Sequence, residues 1–512
     1  MDTWTKTLID YPSYAKLKEL SKNPFDLTQL AQAVDRIDKF SFDAAGWSLL
    51  FGTERVTEEV MDALYALAKE AEVLKKMEAM QRGDIVNNTE KRAVLHTAMR
   101  ALSSDSKEAL LGKAEIDKIG KFVKEIADYK HIVTVAIGGS DLGPRALYQA
   151  LAYLTLPGKD AHFISNVDPD DAVGKLRNLD LSKTIVSVVS KSGSTLETLT
   201  NETIVRKLFE EKGLDPKNHI VAITQKGSPM DDPSKYRACF YLYDFVGGRY
   251  SATAAPGGLL LSFTVGHENY IELLKGAEEM DQHARTAPPE KNLPLTLALL
   301  GLWNRNFLNL PTVAMIPYSE ALVRLPAHIQ QLDMESNGKH VGRNGERVSF
   351  ETGPIIWGEP GTNAQHSFFQ LIHQGTSTIP LEFVAFRESQ YQKDFDVQGT
   401  DSQAKLFANV LAQSIALATG EKNKDLNKEC VGNRPSSLLV GEKLDPRTMG
   451  SLFALYEHKV DFQGFIWGIN SFDQWGVQLG KTLATRVLER MQQKGETFPL
   501  ADKILRRTKW AS

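Results

Sequence analysis

The stretch that decides the fold is His131-Ile-Val-Thr-Val-Ala-Ile137, running directly into Gly138-Gly139-Ser140-Asp-Leu-Gly143-Pro144. It is a short β-branched run, too brief for a buried helix, and it ends in glycines. Two further runs share its texture. Thr184-Ile-Val-Ser-Val-Val189 leads into Ser190-Lys191-Ser192-Gly193, and His219-Ile-Val-Ala-Ile-Thr224 is the third. Each precedes a turn and a helix-like pattern, so the spacing predicts β-α-β units and a parallel sheet. The pattern restarts at Thr312-Val-Ala-Met-Ile-Pro317, Gly353-Pro-Ile-Ile-Trp357 and Leu381-Glu-Phe-Val-Ala385, with Ala287-Pro288-Pro289-Glu290 near the joint. Two α/β lobes follow from this restart.

Helical periodicity dominates outside these runs. Val56, Val60, Met61, Leu64, Leu67, Ala68, Ala71 and Leu74 recur at three and four, predicting one helix from Val56 to Met77 with a stop at Gly83-Asp84. A second helix is expected from Thr89 to Ala101, with Glu90 in its first turn. Helical patterns return over Leu406–Thr419 and Thr448–Arg507. The expected divisions are a helical N-terminal extension over 1–115, a first lobe over 116–285, and a second lobe with C-terminal helices over 286–512.

Composition narrows the function classes. The 512 residues carry 60 Lys+Arg against 64 Asp+Glu, a formal charge of −4, so there is no global basic field for nucleic acid. Two cysteines, Cys239 and Cys430, cannot build a disulfide framework or a zinc motif, and a cytoplasmic location is the expectation. The N-terminus offers no basic segment leading into an apolar stretch, so no signal peptide is expected. The most apolar window, Leu293 to Trp303, is well short of the roughly 20 residues a membrane span needs.

Two strand-to-helix junctions could hold an anion. Glycines at 138 and 139 let backbone N–H groups approach closely at a helix N-terminus, although such glycines also serve plain tight turns. Ser190-Lys191-Ser192-Gly193-Ser194-Thr195 supplies four hydroxyls, an ammonium and a glycine right after a strand. It reads as a phosphate cradle or as a polar turn, with Ser194 and Glu197 spaced for a capping box. It is neither a Walker A loop nor a dinucleotide fingerprint. Arg249, after Gly247-Gly248, could meet an oxyanion or serve a salt bridge. Glu335, His366 and Lys481 have ordinary structural readings from pattern alone; His366 and His373 share a face only if one helix holds both. Spacing by itself gives an α/β protein that binds phosphorylated metabolites.

In this order the segments resemble the glucose-6-phosphate isomerase family over nearly the whole chain. The likeness is carried by Asn88–His96, Ile137–Pro144, Ser190–Asn201, Gly247–Ser251, Met334–Lys339, Gly358–Thr376 and Tyr456–Lys481. The resemblance implies two sugar-isomerase-type three-layer α/β/α sandwich lobes with helical N- and C-terminal extensions. It implies interconversion of glucose 6-phosphate and fructose 6-phosphate in glycolysis and gluconeogenesis, with no metal or other cofactor. By the same resemblance, Glu335 is the base moving a proton between C1 and C2, and Arg249 stabilises the enediolate. His366 and Lys481 open the ring, Ser190 through Thr195 bind the phosphate, and Gly139, Ser140, Gly248 and Gln331 hold the substrate. A homodimer is implied, with the histidine coming from the neighbouring subunit, and neither nucleic acid nor membrane is a partner. The chain departs from the family pattern in Ala252-Thr253-Ala254-Ala255-Pro256-Gly257, at Ala252, Thr253 and Pro256 behind Arg249, and at Gln478, where a glutamate is usual.

Overall fold

The computed structural model describes residues 3–510. The chain divides into two compact units, Met1–Ser471 and Phe472–Ser512. The first contains eleven strands among the described residues: β1 (Ser41–Ala44), β2 (Trp47–Leu50), β3 (His131–Val135), β4 (Asp160–Ile164), β5 (Thr184–Val189), β6 (Ile220–Thr224), β7 (Cys239–Tyr241), β8 (Thr312–Pro317), β9 (Ile355–Trp357), β10 (Leu381–Glu388) and β11 (Ser436–Lys443). They form two sheets.

One sheet has the order β4-β3-β5-β6-β7 and is parallel throughout. Strands β5 and β6 are buried along their whole length, as expected where helices cover both faces. Alternation assigns the faces. Ile132, Ile185, Val221 and Ile223 pack with Leu259 and Leu260 in one cluster. Val133, Val135, Val186, Val188 and Ala222 pack with Val205 and Phe209 in another. The result is a helix–sheet–helix sandwich.

The other sheet has the order β1-β2-β11-β10-β8-β9, with β8 to β11 parallel. The hairpin β1–β2 is antiparallel and joins β11 antiparallel, so this N-terminal segment completes the second sheet. The 22-residue helix Pro446–Trp467 is buried almost throughout, and its Tyr456 reaches Met315 of β8.

The N-terminal helices differ from expectation. The periodic stretch 56–77 forms two helices, Glu58–Glu70 and Val73–Arg82, broken where Glu72 adopts φ +50°. Thr57 caps the first by accepting from the Val60 N–H, and Gly83 ends the second. The helix expected over 89–101 does not form. Asn87 bridges to Arg92, its side chain accepts from the Glu90 N–H, and only a 3-10 turn, His96–Arg100, follows.

The 472–512 unit has a short turn, Trp475–Val477, then helices Gln478–Met491 and Pro499–Arg507. Arg490 and Asp502 tie the two helices at 2.8 Å, and the Arg486 guanidinium lies over Phe498. No helix among the described residues is long and apolar enough to cross a membrane.

Candidate active site

Strand order locates the site before any side chain is considered. In the first sheet the chain leaves β3 for β4 on one side and returns to β5 on the other. The carboxyl ends of β3 and β5 therefore diverge around a crevice, the usual ligand position in open parallel sheets. The two loops that leave those ends are 136–140 and 190–195.

The 190–195 loop is built from small polar side chains that bond to one another. Ser190, nearly buried, lies with its Oγ 2.9 Å from Thr195 Oγ1. Ser192 Oγ accepts from both the N–H and the hydroxyl of Ser194. Gly193 takes φ +65°, which suits a residue without Cβ. The capping box expected from Ser194 and Glu197 is absent. The helix starts at Leu196 with Thr195 as its N-cap, because Ser194 is turned back onto Ser192. Lys191 donates to the carbonyls of Asp244 (2.7 Å) and Val246 (2.9 Å), fastening this loop to the one that precedes Gly247. Burial, aided by the nearby Arg92 charge, pushes the Lys191 ammonium down to about 8 against the pull of Asp244.

The loop after β3 meets the Arg249 turn by close backbone approach. A Cβ on Gly139 would fall within 2.4 Å of the Gly248 carbonyl and 2.5 Å of the Arg249 nitrogen, so only glycine fits. Gly138 backs onto Gln331, whose Nε2 would lie 3.3 Å from a Cβ there. Ser140 follows in the first turn of the helix Gly139–Leu151.

Gln331 and Glu335 come from the second sheet. The helix Leu325–Asn337 follows β8, with Pro326 in its first turn where a missing N–H costs nothing. It buries Ile329, Leu332, Ser336 and Asn337 and leaves Gln331 and Glu335, one turn apart, half-buried on the opposite side. Gln331 Nε2 donates to Glu335 Oε2 at 3.0 Å, and Arg249 Nη1 lies 3.4 Å from the same oxygen. The Arg249 fork is fixed by Nε donating to Ser336 Oγ (2.6 Å) and Nη2 donating to the Ser471 carbonyl (2.6 Å). A buried cation and a partly exposed carboxylate thus stand side by side, next to the Gly138–Gly139 turn.

Behind them runs a buried network that the sequence reading did not single out. The Tyr250 hydroxyl lies 3.2 Å from Ser336 Oγ and donates to Asp461 (3.1 Å). Asp461 pairs with His458 at 3.4 Å, His458 with Asp281 at 2.7 Å, and Asp281 with Arg100 at 2.7 Å. Arg100 also pairs with Glu457 (2.6 Å) and donates to Thr253. Burial alone would lower His458, but the hydrogen bonds it makes to the Asp281 and Asp461 carboxylates outweigh it and push the imidazole up to about 9. The available signal was the charged cluster Glu457-His458-Lys459 and Asp461 inside a helix that the apolar pattern marks as buried. Thr253, a departure from the family pattern, is an acceptor for Arg100. Pro256 sits in the first turn of the helix Ala255–Leu261, where proline is tolerated.

His366 and Lys481 belong to other elements. His366 ends a 3-10 turn, Asn363–His366, and is exposed, while the neighbouring Gln365 donates to Tyr318. The turn does not continue to His373, which lies in a separate short helix, Phe369–Gln374. Lys481, in the 472–512 unit, is exposed in the first turn of the helix Gln478–Met491. Gln478, where the family pattern has a glutamate, begins that helix.

A parallel sheet and a mostly parallel one under helices, with a carboxylate and an arginine at the first sheet's crevice, define a protein of the sugar-isomerase class. A family model described as phosphoglucose isomerase matches residues 51–499, and the chain belongs to that family. It is 52% identical to the glucose-6-phosphate isomerase of Protochlamydia amoebophila, over 97% of this chain and 96% of that one. It is 48% identical to the glucose-6-phosphate isomerase of Chlamydia pneumoniae, over 98% of each. The crystal structure of a glucose-6-phosphate isomerase from Chlamydia trachomatis superposes with a TM-score of 0.95 at 47% identity, covering 98% of this chain and 99% of that one.

Proposed function

We propose that this chain catalyses the reversible isomerisation of D-glucose 6-phosphate and D-fructose 6-phosphate through an enediolate, as a step of glycolysis and gluconeogenesis. The observation that carries this reading is the Glu335–Arg249 pair beside Gly138–Gly139, together with close relatives of that name at full coverage. In the open-chain aldose, Glu335 takes the proton from C2. The charge that develops on O1 lies toward the Arg249 guanidinium; a proton passes from O2 to O1, and Glu335 returns its proton to C1 as the C2–O2 bond becomes the carbonyl. Arg249 is held on two other atoms by Ser336 and Ser471, so it does not have to reorganise when the charge appears.

Residues 190–195 serve as the phosphate site, and Gly139, Ser140, Gly248 and Gln331 as sugar contacts. On this reading the phosphate is held by the lobe 116–285 and the base is delivered by the lobe 286–512, with 1–115 as an extension. His366 and Lys481 are assigned to ring opening, which needs a proton at the ring oxygen and loss of one from O1. The exposure of His366 supports donation across a homodimer. So do Trp475, Leu479, Leu500 and Ile504, apolar side chains left exposed in the 472–512 unit. A cytoplasmic location accords with this substrate.

An assay with fructose 6-phosphate as sole substrate, coupled to oxidation of glucose 6-phosphate, tests the activity. Turnover without ammonia or added metal is expected, and its absence in folded protein would refute the assignment. Mixing His366→Ala with Glu335→Gln chains tests sharing. Partial recovery on subunit exchange is expected, and no recovery after demonstrated exchange would place both residues in one chain's site.

A further inference from the structure

At the amino-terminal edge of the first sheet, three donor atoms converge. His131 opens β3, Asp160 opens β4, and the two residues are partners in the parallel register. His162, two residues along β4, shares the face of Asp160 because side chains alternate along a strand. His131 Nδ1 lies 2.7 Å and His162 Nε2 3.1 Å from the same Asp160 Oδ1. All three donor atoms fall within 4.8 Å of one another. We propose that His131, Asp160 and His162 form a site for a divalent transition-metal ion of the zinc class, one that pins the edge strand β4 to β3.

The donor set carries the proposal. Two imidazoles with one carboxylate suit zinc and its neighbours, whereas magnesium and calcium prefer oxygen-only shells. At zinc–ligand distances of about 2.0–2.2 Å, tetrahedral ligands stand about 3.3 Å apart, against 2.7 and 3.1 Å from the two imidazoles to Asp160 and no more than 4.8 Å for any pair of the three. The histidine side chains are 18% and 27% exposed and Asp160 46%. The rings are thus held by the strands while the carboxylate can turn to admit an ion, and solvent can supply the remaining ligand. Both imidazoles come from strands rather than loops, so little ordering is needed on binding.

The position separates this site from the chemistry. Glu335, Arg249 and the 190–195 loop gather at the carboxyl ends of the strands, whereas His131 and Asp160 open β3 and β4 at the amino ends, a strand length of roughly 13 Å away, with His162 two residues further along β4. Nothing in the isomerase reaction uses these residues. The role is to close an edge, because β4 is the outermost strand and its far side has no strand partner.

Equilibrium dialysis of chelator-treated full-length protein against zinc chloride, with magnesium chloride as the comparison, tests the proposal. Saturable zinc binding at one site per chain and no competition from magnesium are expected. His162→Ala and, separately, His131→Gln should each weaken zinc binding at least tenfold, since even outer-sphere partners of a metal typically contribute 10–100-fold. The His162→Ala enzyme should retain wild-type isomerase turnover, showing that it is folded, and should lose the rise in melting temperature that zinc gives the parent. No saturable zinc binding would overturn the proposal. Zinc binding that is undiminished in both variants would also overturn it, by placing the ion elsewhere.

Discussion

In both sheets the chain leaves the first parallel strand on one side and returns on the other, at β3 and β5 in one and at β8 and β10 in the other. The topology is shared; the furnishing is not. The first sheet's crevice is lined by glycines and hydroxyls in short loops, which expose N–H groups and small donors to an anion. The second sheet contributes through the helix after β8, whose half-buried face carries Gln331 and Glu335 toward the first. Loops of small residues suit a group that must bind and leave, whereas a helix held by Ile329, Leu332 and Asn337 suits a carboxylate whose position decides proton transfer. In the function proposed above, one frame supplies a binding half and a reacting half.

The largest expected effect removes the reacting half alone. Glu335→Gln keeps the hydrogen-bonding shape beside Gln331 and Arg249 but cannot accept a proton, and kcat should fall roughly 10²–10⁴-fold, the worth of a general base. KM should change little, because the phosphate loop is untouched. A comparable loss in KM alone would erase the distinction between the halves.

The next effect falls on the binding half. Replacing Ser190, Ser192 and Thr195 together with alanine removes three hydroxyls. At about 0.5–1.5 kcal/mol each, and more to a charged acceptor, KM should rise tenfold or more. The helix Leu196–Glu211 should persist, since Thr195 caps it without a side-chain hydrogen bond. A KM unchanged in steady-state assays would put the phosphate elsewhere.

A smaller, pH-dependent effect sharpens the same point. Lys191 is pushed down to about 8, so it is charged below that pH and neutral above it. Its cation favours a phosphate dianion, so KM for the sugar phosphate should climb severalfold as pH rises through 8. Lys191→Gln should flatten that climb while raising KM at pH 7. A parent profile that stays flat to pH 9 would mean that the ammonium serves only to tether Asp244 and Val246.

Much of this was legible because apolar runs, glycines and motif order are local signals. The runs beginning at His131, Thr184, Thr312 and Leu381 are strands because both faces are buried, which writes a continuous apolar string. Asp160-Ala-His-Phe-Ile164 shows no such string, since β4 is an edge strand with polar side chains at its start. The hairpin β1–β2 was hidden because its turn places Ala45 as well as Gly46 at positive φ, without the Asn-Gly signature that usually marks such turns. The break at Glu72 interrupts a period that runs on unbroken in the sequence. At the site, Glu335 and Arg249 were each named, but their contact, and the Tyr250–Asp461–His458 chain behind it, joins residues 211 positions apart at one of its links. Such pairings depend on tertiary packing and leave no local trace.

The proposed division of labour has Glu335 lift the C2 proton while the first sheet only holds the phosphate. It is tested most directly by following loss of the C2 hydrogen of glucose 6-phosphate in deuterated water by NMR, with anomer exchange recorded in the same samples. With Glu335→Gln, C2 exchange should fall in parallel with isomerisation while enzyme-accelerated anomer exchange is partly retained, because ring opening needs no C2 chemistry. C2 exchange near the parent rate in that variant would contradict the account.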